Sequence, residues 1–358
     1  MKISKVLWNI AATSVVAFYS VFGQATSSMA VDTSLVLKAS EMKAPPGFVS
    51  SVDKVELGKT LFFDPRLSSA SSVSCNSCHN VMAGGDDSLK TSFGVFGQKG
   101  GRNSPTVWNS GFQSVQFWDG RANTLEDQAK GPITNPIEMG MKDHSVAVSR
   151  LTKIDGYRAM FSKVYGEKIH SKKLITIERV ADAIAAFERT LVTVNAPFDR
   201  FVAGEQNAIS SEAKSGWQSF QSVGCISCHS GATFSGPSMP LGVGFYQKFP
   251  LMPDAGIEKA YEISKDLGRQ EVTKQEADKN MWRVPMLRNV SLTAPYFHNG
   301  SVNSLSEAVR VMGKTQLGKD LSKKEISNIV AFLNTLTGEF QKREMPRLPD
   351  YSGTSFAE

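Results

Sequence analysis

Two pentapeptides carry the chemistry of this 358-residue chain: CNSCH (75–79) and CISCH (225–229). Together they use all four cysteines, Cys75, Cys78, Cys225 and Cys228, and each pair runs straight into a histidine, His79 or His229. C-x-x-C-H attaches c-type haem: the thiols form thioethers with the vinyl groups and the histidine is placed under the iron. A Cys₄ zinc site and two redox C-x-x-C motifs are the competing readings. Zinc ribbons separate their pairs by roughly 15–20 residues, whereas 146 intervene here. A thioredoxin-like motif gives no reason for a histidine to follow twice. Two covalent haems are the better reading.

The segments around the motifs must be helices to place them. SSEAKSGWQSFQSVG (210–224) reads as an amphipathic helix with a serine cap leading into CISCH. SKKEISNIVAFLNTLTG (322–338) opens on a capping box, Ser322 with Glu325, and sets Ile326, Ile329, Val330, Leu333 and Leu336 on one face. IERVADAIAAFERTLVTVN (177–195) is a third helix, with Ile177, Val180, Ile184 and Leu191 at core spacing. Strand-like alternation is nearly absent. The expected fold is mainly α, with two cytochrome c-like domains, each carrying one covalently bound haem.

Composition limits the alternatives. The chain is 41% hydrophobic and 21% charged, as in a globular protein, and long enough for about two domains. Its formal charge of +6 includes Lys2 and Lys5 of a leader; without residues 1–30, 38 basic residues face 34 acidic ones, or +4. Four haem propionates would bring the sum near zero, and no basic block suggests nucleic acid. MKISK followed by an apolar run and small residues ending at Ser28-Met29-Ala30 reads as a signal peptide over 1–30. The expected compartment is therefore the periplasm.

The chain also repeats itself. Pro105, Asn109, Phe117, Gly120 and Leu125 recur 180 positions later as Pro285, Asn289, Phe297, Gly300 and Leu305. We expect a first haem domain over 31–204, a second over 205–345, and a tail over 346–358. The haem motifs are offset by 150, so the second domain holds about thirty extra residues around 231–281. In the second domain Met312 offers a thioether, and His/Met ligation suits electron transfer. Its counterpart is Pro132, which cannot bind iron. One closed and one open haem describe an enzyme with its own electron store.

These motifs resemble the bacterial dihaem cytochrome c peroxidases and their relatives that mature methylamine dehydrogenase. The likeness rests on CNSCHN, TSFGVFGQKGGRNSPTVWN, QFWDGR, LEDQAKGPITNPIEM, GCISCH, TAPYFHNG and AVRVMGKTQLG, between about Leu57 and about Leu336. The resemblance implies that His79 ligates a low-potential, peroxide-reducing haem, and that His229 and Met312 ligate a high-potential one. It implies an electron relay at Trp118, a distal acid–base at Glu138 and a peroxide-orienting amide at Gln128. It further implies a calcium ion held by Asn103, Thr293 and Pro295, the last two through carbonyls. A small periplasmic cytochrome c or cupredoxin as donor and a homodimer follow from the same likeness. His298 is expected to make a structural hydrogen bond, and His144 and His170 to be exposed.

One departure stands out. Where many members carry a distal histidine in a segment like SIGHxWQ, this chain has SFGVFGQ, with Val95 at that position and Gly97 where tryptophan is common. Three readings follow. The favoured one is a hydrogen peroxide reductase whose first haem needs no reductive activation, unless Met82 or Lys99 supplies a substitute ligand. The second is an oxidase or maturation enzyme acting on another protein, against which Met312 argues because those relatives have tyrosine there. The third is a non-catalytic dihaem electron carrier or sensor, against which Glu138, Gln128 and Trp118 argue.

Overall fold

The structure, a computed structural model, describes residues 50–350; the expected leader over 1–30 and the end of the tail lie outside them. Helices begin where side chains can satisfy the free amides of a first turn. Thus α1 (Val52–Phe63) starts at Ser51, whose hydroxyl accepts from Lys54 N–H, and α2 (Cys75–Cys78) is the first motif itself. Then come α3 (Leu125–Thr134), α4 (His144–Thr152), α5 (Asp155–Tyr165), α6 (Ile177–Glu188), α7 (Pro197–Val202) and α8 (Ser211–Val223). The chain continues through α9 (Ala255–Tyr261), α10 (Gln270–Thr273), α11 (Leu305–Leu317) and α12 (Lys323–Asn334). One two-stranded antiparallel ribbon, β1 (Tyr246–Lys248) with β2 (Met281–Arg283), pairs Tyr246 with Arg283. The protein is mainly α, and these elements belong to one compact unit.

Ser210 caps α8 as expected, and Ser322 with Glu325 forms the capping box of α12. The third helix is shorter than its sequence pattern. α6 stops at Glu188 with Arg189 as its cap residue, and Leu191 is buried in the turn beyond. α12 likewise ends at Asn334, before the buried Leu336. The insertion around 231–281 supplies the ribbon's first strand, α9 and α10, and it brings Asp266 and Glu271 onto Arg102, which also binds Asp119.

Two helix crossings hold the two CxxCH segments. α1 crosses α6 and α8 crosses α12, each at a glycine. A Cβ on Gly58 would stand 1.8 Å from Ala183 O, and one on Gly216 would stand 1.8 Å from Asn328 O. Only glycine lets backbones approach this closely. Phe62 packs edge-on against Phe187 in the first pair (5.3 Å), and Phe220 packs at a tilt against Phe332 in the second (5.1 Å).

The 180-residue repeat is visible in the backbone. Asn109 and Asn289 both take left-handed φ (63° and 61°), as do Phe117 and Phe297 (66° and 70°). Asparagine tolerates that region; a phenylalanine there is strained and persists because its surroundings fix it. The two asparagines meet at one residue: Asn109 Nδ2 and Asn289 Nδ2 both donate to Thr193 Oγ1, at 2.9 and 3.1 Å.

Candidate functional site

Each CxxCH motif opens onto its own cavity. The first, about 1380 Å³ of space that includes open solvent, is lined by Cys75, Cys78, His79, Trp118, Gln128 and Glu138 among others. The second, about 1610 Å³, is lined by Cys225, Cys228, His229, Met312, Trp118, Asn103, Thr293 and Pro295 among others. Among the described residues no cluster of three or more His, Cys, Asp or Glu could hold a metal, so the cysteines form no Cys₄ site.

The histidines of the two motifs are set alike. His79 Nδ1 lies 3.0 Å from Pro105 O, and His229 Nδ1 lies 3.0 Å from Phe234 O. A carbonyl only accepts, so Nδ1 carries the hydrogen and Nε2 keeps its lone pair, the form iron takes. Burial also pushes both imidazoles below their ordinary pKa. The cysteines show the opposite trend: burial raises Cys78 and Cys225 to about 11 and Cys75 further still.

Residues 103–106, Trp118, Arg283 and Met286 line both cavities. Trp118 donates from Nε1 to Asn103 O at 2.9 Å, and its ring meets the edge of His298. His298 stacks on Trp282, with centroids 4.0 Å apart, and its backbone carbonyl accepts from Asn103 N–H. Its Nε2 is buried without a hydrogen-bond partner. His170 is exposed, but His144 is half-buried, its Nε2 3.0 Å from Lys130 O, so the expectation of an exposed His144 is corrected. Asn103 donates from Nδ2 to Leu89 O, which leaves its amide oxygen as the atom a hard cation would take.

Sequence reasoning missed Arg283. It is 7% exposed, donates to Phe117 O, Gln113 Oε1 and Val284 O, and among the described residues makes no salt bridge, although the charge of Asp119 acts on it from farther off. Burial pushes its pKa down to about 10. A buried cation needs a counter-charge, and a haem propionate at the wall shared by both cavities would supply one. The donor set therefore fits haem.

The glycine-rich stretch 92–100 borders the first cavity through Ser92, Gly94 and Gly100. Val95 does not line it. Its side chain is 1% exposed, within the hydrophobic core, and a Cβ on Gly140 would stand 2.7 Å from its Cγ2. Val95 N–H donates to Glu138 O at 2.8 Å, and a Cβ on Gly94 would fall 2.1 Å from Ile137 O. The loop thus clamps the backbone that carries Glu138. Burial raises the Glu138 carboxyl above its ordinary pKa, opposed by Arg121. Met82 and Lys99 are exposed and outside the cavity lining, whereas Met139 and Met286 belong to it.

Residues 52–207 match the family model described as di-haem cytochrome c peroxidase. The cytochrome c551 peroxidase of Nitrosomonas europaea is 45% identical over 300 residues, 84% of each chain. The chain belongs to the di-haem cytochrome c peroxidase family. It is thus an oxidoreductase of the peroxidase class. The methylamine utilization protein MauG of Methylophilus methylotrophus is 35% identical over 322 residues, 86% of this chain and 89% of the other. Among solved structures, a MauG-like protein associated with microbial copper homeostasis superposes with a TM-score of 0.70 at 28% identity, covering 81% of this chain and 91% of its own. The diheme peroxidase BthA of Burkholderia thailandensis shares the fold at TM-score 0.65 and 21% identity, covering 81% and 87%.

Proposed function

We propose that the protein is a periplasmic dihaem peroxidase that reduces hydrogen peroxide to water with electrons from a small cytochrome c or cupredoxin. One observation carries the reading: two cavities share the wall bearing Trp118, with an acid of raised pKa, Glu138, in the first and a thioether, Met312, in the second. The two haem domains span 31–204 and 205–345. Cys75, Cys78 and His79 would hold one haem, and Cys225, Cys228, His229 and Met312 the other, with the buried cation of Arg283 available to pair with the carboxylates of the group. Haem bound there would supply one-electron redox chemistry.

The remaining work falls to side chains. Reduction consumes two electrons and two protons per peroxide and yields two waters. Glu138 takes a proton from one peroxide oxygen and returns it to the other, and burial, by raising its pKa, makes it a stronger base than an exposed carboxylate. Arg121 keeps the ionised form accessible. Gln128, on α3, orients the substrate, and Trp118 passes electrons across the shared wall. A calcium ion at Asn103, Thr293 and Pro295 would tie the halves together, and a homodimer completes the assembly.

Val95 supports a first haem that is not closed by the usual histidine at rest. The test is an EPR spectrum of the oxidised protein together with peroxide turnover, using reduced cytochrome c and no prior reduction. A high-spin signal with immediate turnover is expected. A low-spin first haem points to a sixth ligand, Met139 or Met286 being the thioethers on that wall, and removes the open-site reading. Absence of turnover favours an electron carrier instead.

A further inference from the structure

Glu188 ends α6 and lines the first cavity together with Ile184, one turn earlier. It is 5% exposed, and its Oε2 has no hydrogen-bond partner. The helix crossings give it a counterpart. Gly58 abuts Ala183 and Phe187, and Gly216 abuts Asn328 and Phe332, so α6 and α12 correspond at an offset of 145. The same offset maps Ile184 onto Ile329 and Glu188 onto Leu333, and both of these line the second cavity. At matched positions on matched walls, one half buries leucine and the other a carboxyl group. Packing alone does not require the carboxyl, and an unpartnered one is costly to bury.

Its surroundings keep it neutral. Burial pushes the Glu188 carboxyl up to about 8; Arg189 opposes this and Glu126 adds to it. The Arg189 guanidinium is already paired with Glu126 at 2.6 and 3.1 Å. The last turn of α6 presents its carbonyl ends, which disfavour a negative charge. Cys75, on α2, is the other facing group, and a thioether there is uncharged. Farther round the same wall stand Glu138, Arg121 and His79.

We propose that Glu188 is the proton-holding group of the first haem, binding one proton when that haem gains an electron and releasing it when the electron leaves. One electron from the second haem or an external one-electron reductant converts ferric to ferrous iron. Above about pH 8, where Glu188 is ionised before reduction, its carboxylate at the same time takes one proton from solvent and becomes a carboxylic acid. The charge inside the cavity is thereby unchanged. The inference rests on the reading that the first cavity holds a c-type haem.

The test is a spectroelectrochemical titration of the holoprotein at a series of pH values, with the second haem as internal reference. For the wild type, the reduction equilibrium of the first haem should weaken toward tenfold per pH unit through about pH 8, equivalent to about 59 mV per unit for one electron. The second haem, walled by Leu333, should lack this step. Glu188→Gln should flatten the first profile; Glu188→Leu, which copies the other half, should do the same and guards against a folding failure of the amide variant. A flat wild-type profile, or a slope that survives in both variants, overturns the proposal. Fewer than two haems per chain in the same sample would instead refute the haem reading.

Discussion

Replacing Glu188 should stabilise the folded protein, by an amount that depends on pH. An ordinary glutamate carboxyl titrates at 4.5, while burial holds that of Glu188 at about 8. Because the folded pKa lies above the unfolded one, the native state is favoured by protonation. Well below 4.5 both states are protonated and the group costs nothing through ionisation. Between 4.5 and about 8 the unfolded chain ionises while the folded one does not, and stability falls as pH rises. The loss is about 3 kcal/mol at neutral pH and about 5 kcal/mol above the folded pKa. Glu188→Gln removes that ionisation and keeps the shape. In urea unfolding of the holoprotein, the advantage of the variant should grow by about 3 kcal/mol between about pH 5 and about pH 8. A difference that stays constant across that interval would show that Glu188 ionises freely in the native state, and the reasoning from its burial would be wrong.

Glu138→Gln should slow peroxide reduction by about 10²–10⁴-fold with both haems retained, as loss of a general acid–base does; near-normal steady-state rates exclude the role. Met312→Ala should lower the potential of the second haem alone, read by potentiometric titration, because a thioether ligand raises it. Trp118→Phe should reduce the rate of electron transfer between the haems in stopped-flow while leaving both haem spectra in place. Gly216→Ala should destabilise by about 3 kcal/mol or more in thermal unfolding, since its Cβ would lie 1.8 Å from Asn328 O; Gly131→Ala, whose Cβ would meet only Phe117 Cζ at an ordinary 3.6 Å, is the control that should not destabilise.

Much of the scaffold is legible in local chemistry. Ser210 and the Ser322–Glu325 pair mark helix starts because capping depends on neighbours in sequence, and the repeat at 180 residues reappears as paired left-handed asparagines and phenylalanines. The CxxCH motifs are legible because covalent attachment fixes their spacing. Side-chain direction in irregular backbone is not. Val95 reads as a missing ligand in SFGVFGQKG, yet the turn at 95–97 sends it into the core, and its backbone rather than its side chain acts on Glu138. Glu188 follows Ile184 by four residues, the spacing of one helix face, but a charged residue near a helix end reads as solvated unless the cavity behind it is known. Arg283 is hidden for a similar reason: its need for a counter-charge emerges only once α-helices and ribbon have enclosed it.

The hydroxyl of Thr193, shared by Asn109 and Asn289, has a consequence for how the molecule opens. Two repeat-related turns that rest on one side chain cannot part without leaving an amide unsatisfied on at least one side. A breathing motion that separated the two haem-bearing halves would have to break this joint first. The amides of Thr193 and Gly338, which donate to the same two asparagines at 2.9 and 3.1 Å, should therefore be late to exchange with deuterium, and should do so together. The spacing between the two CxxCH-bearing halves is then held by a lock in the interior, indifferent to the length or mobility of the chain that links them.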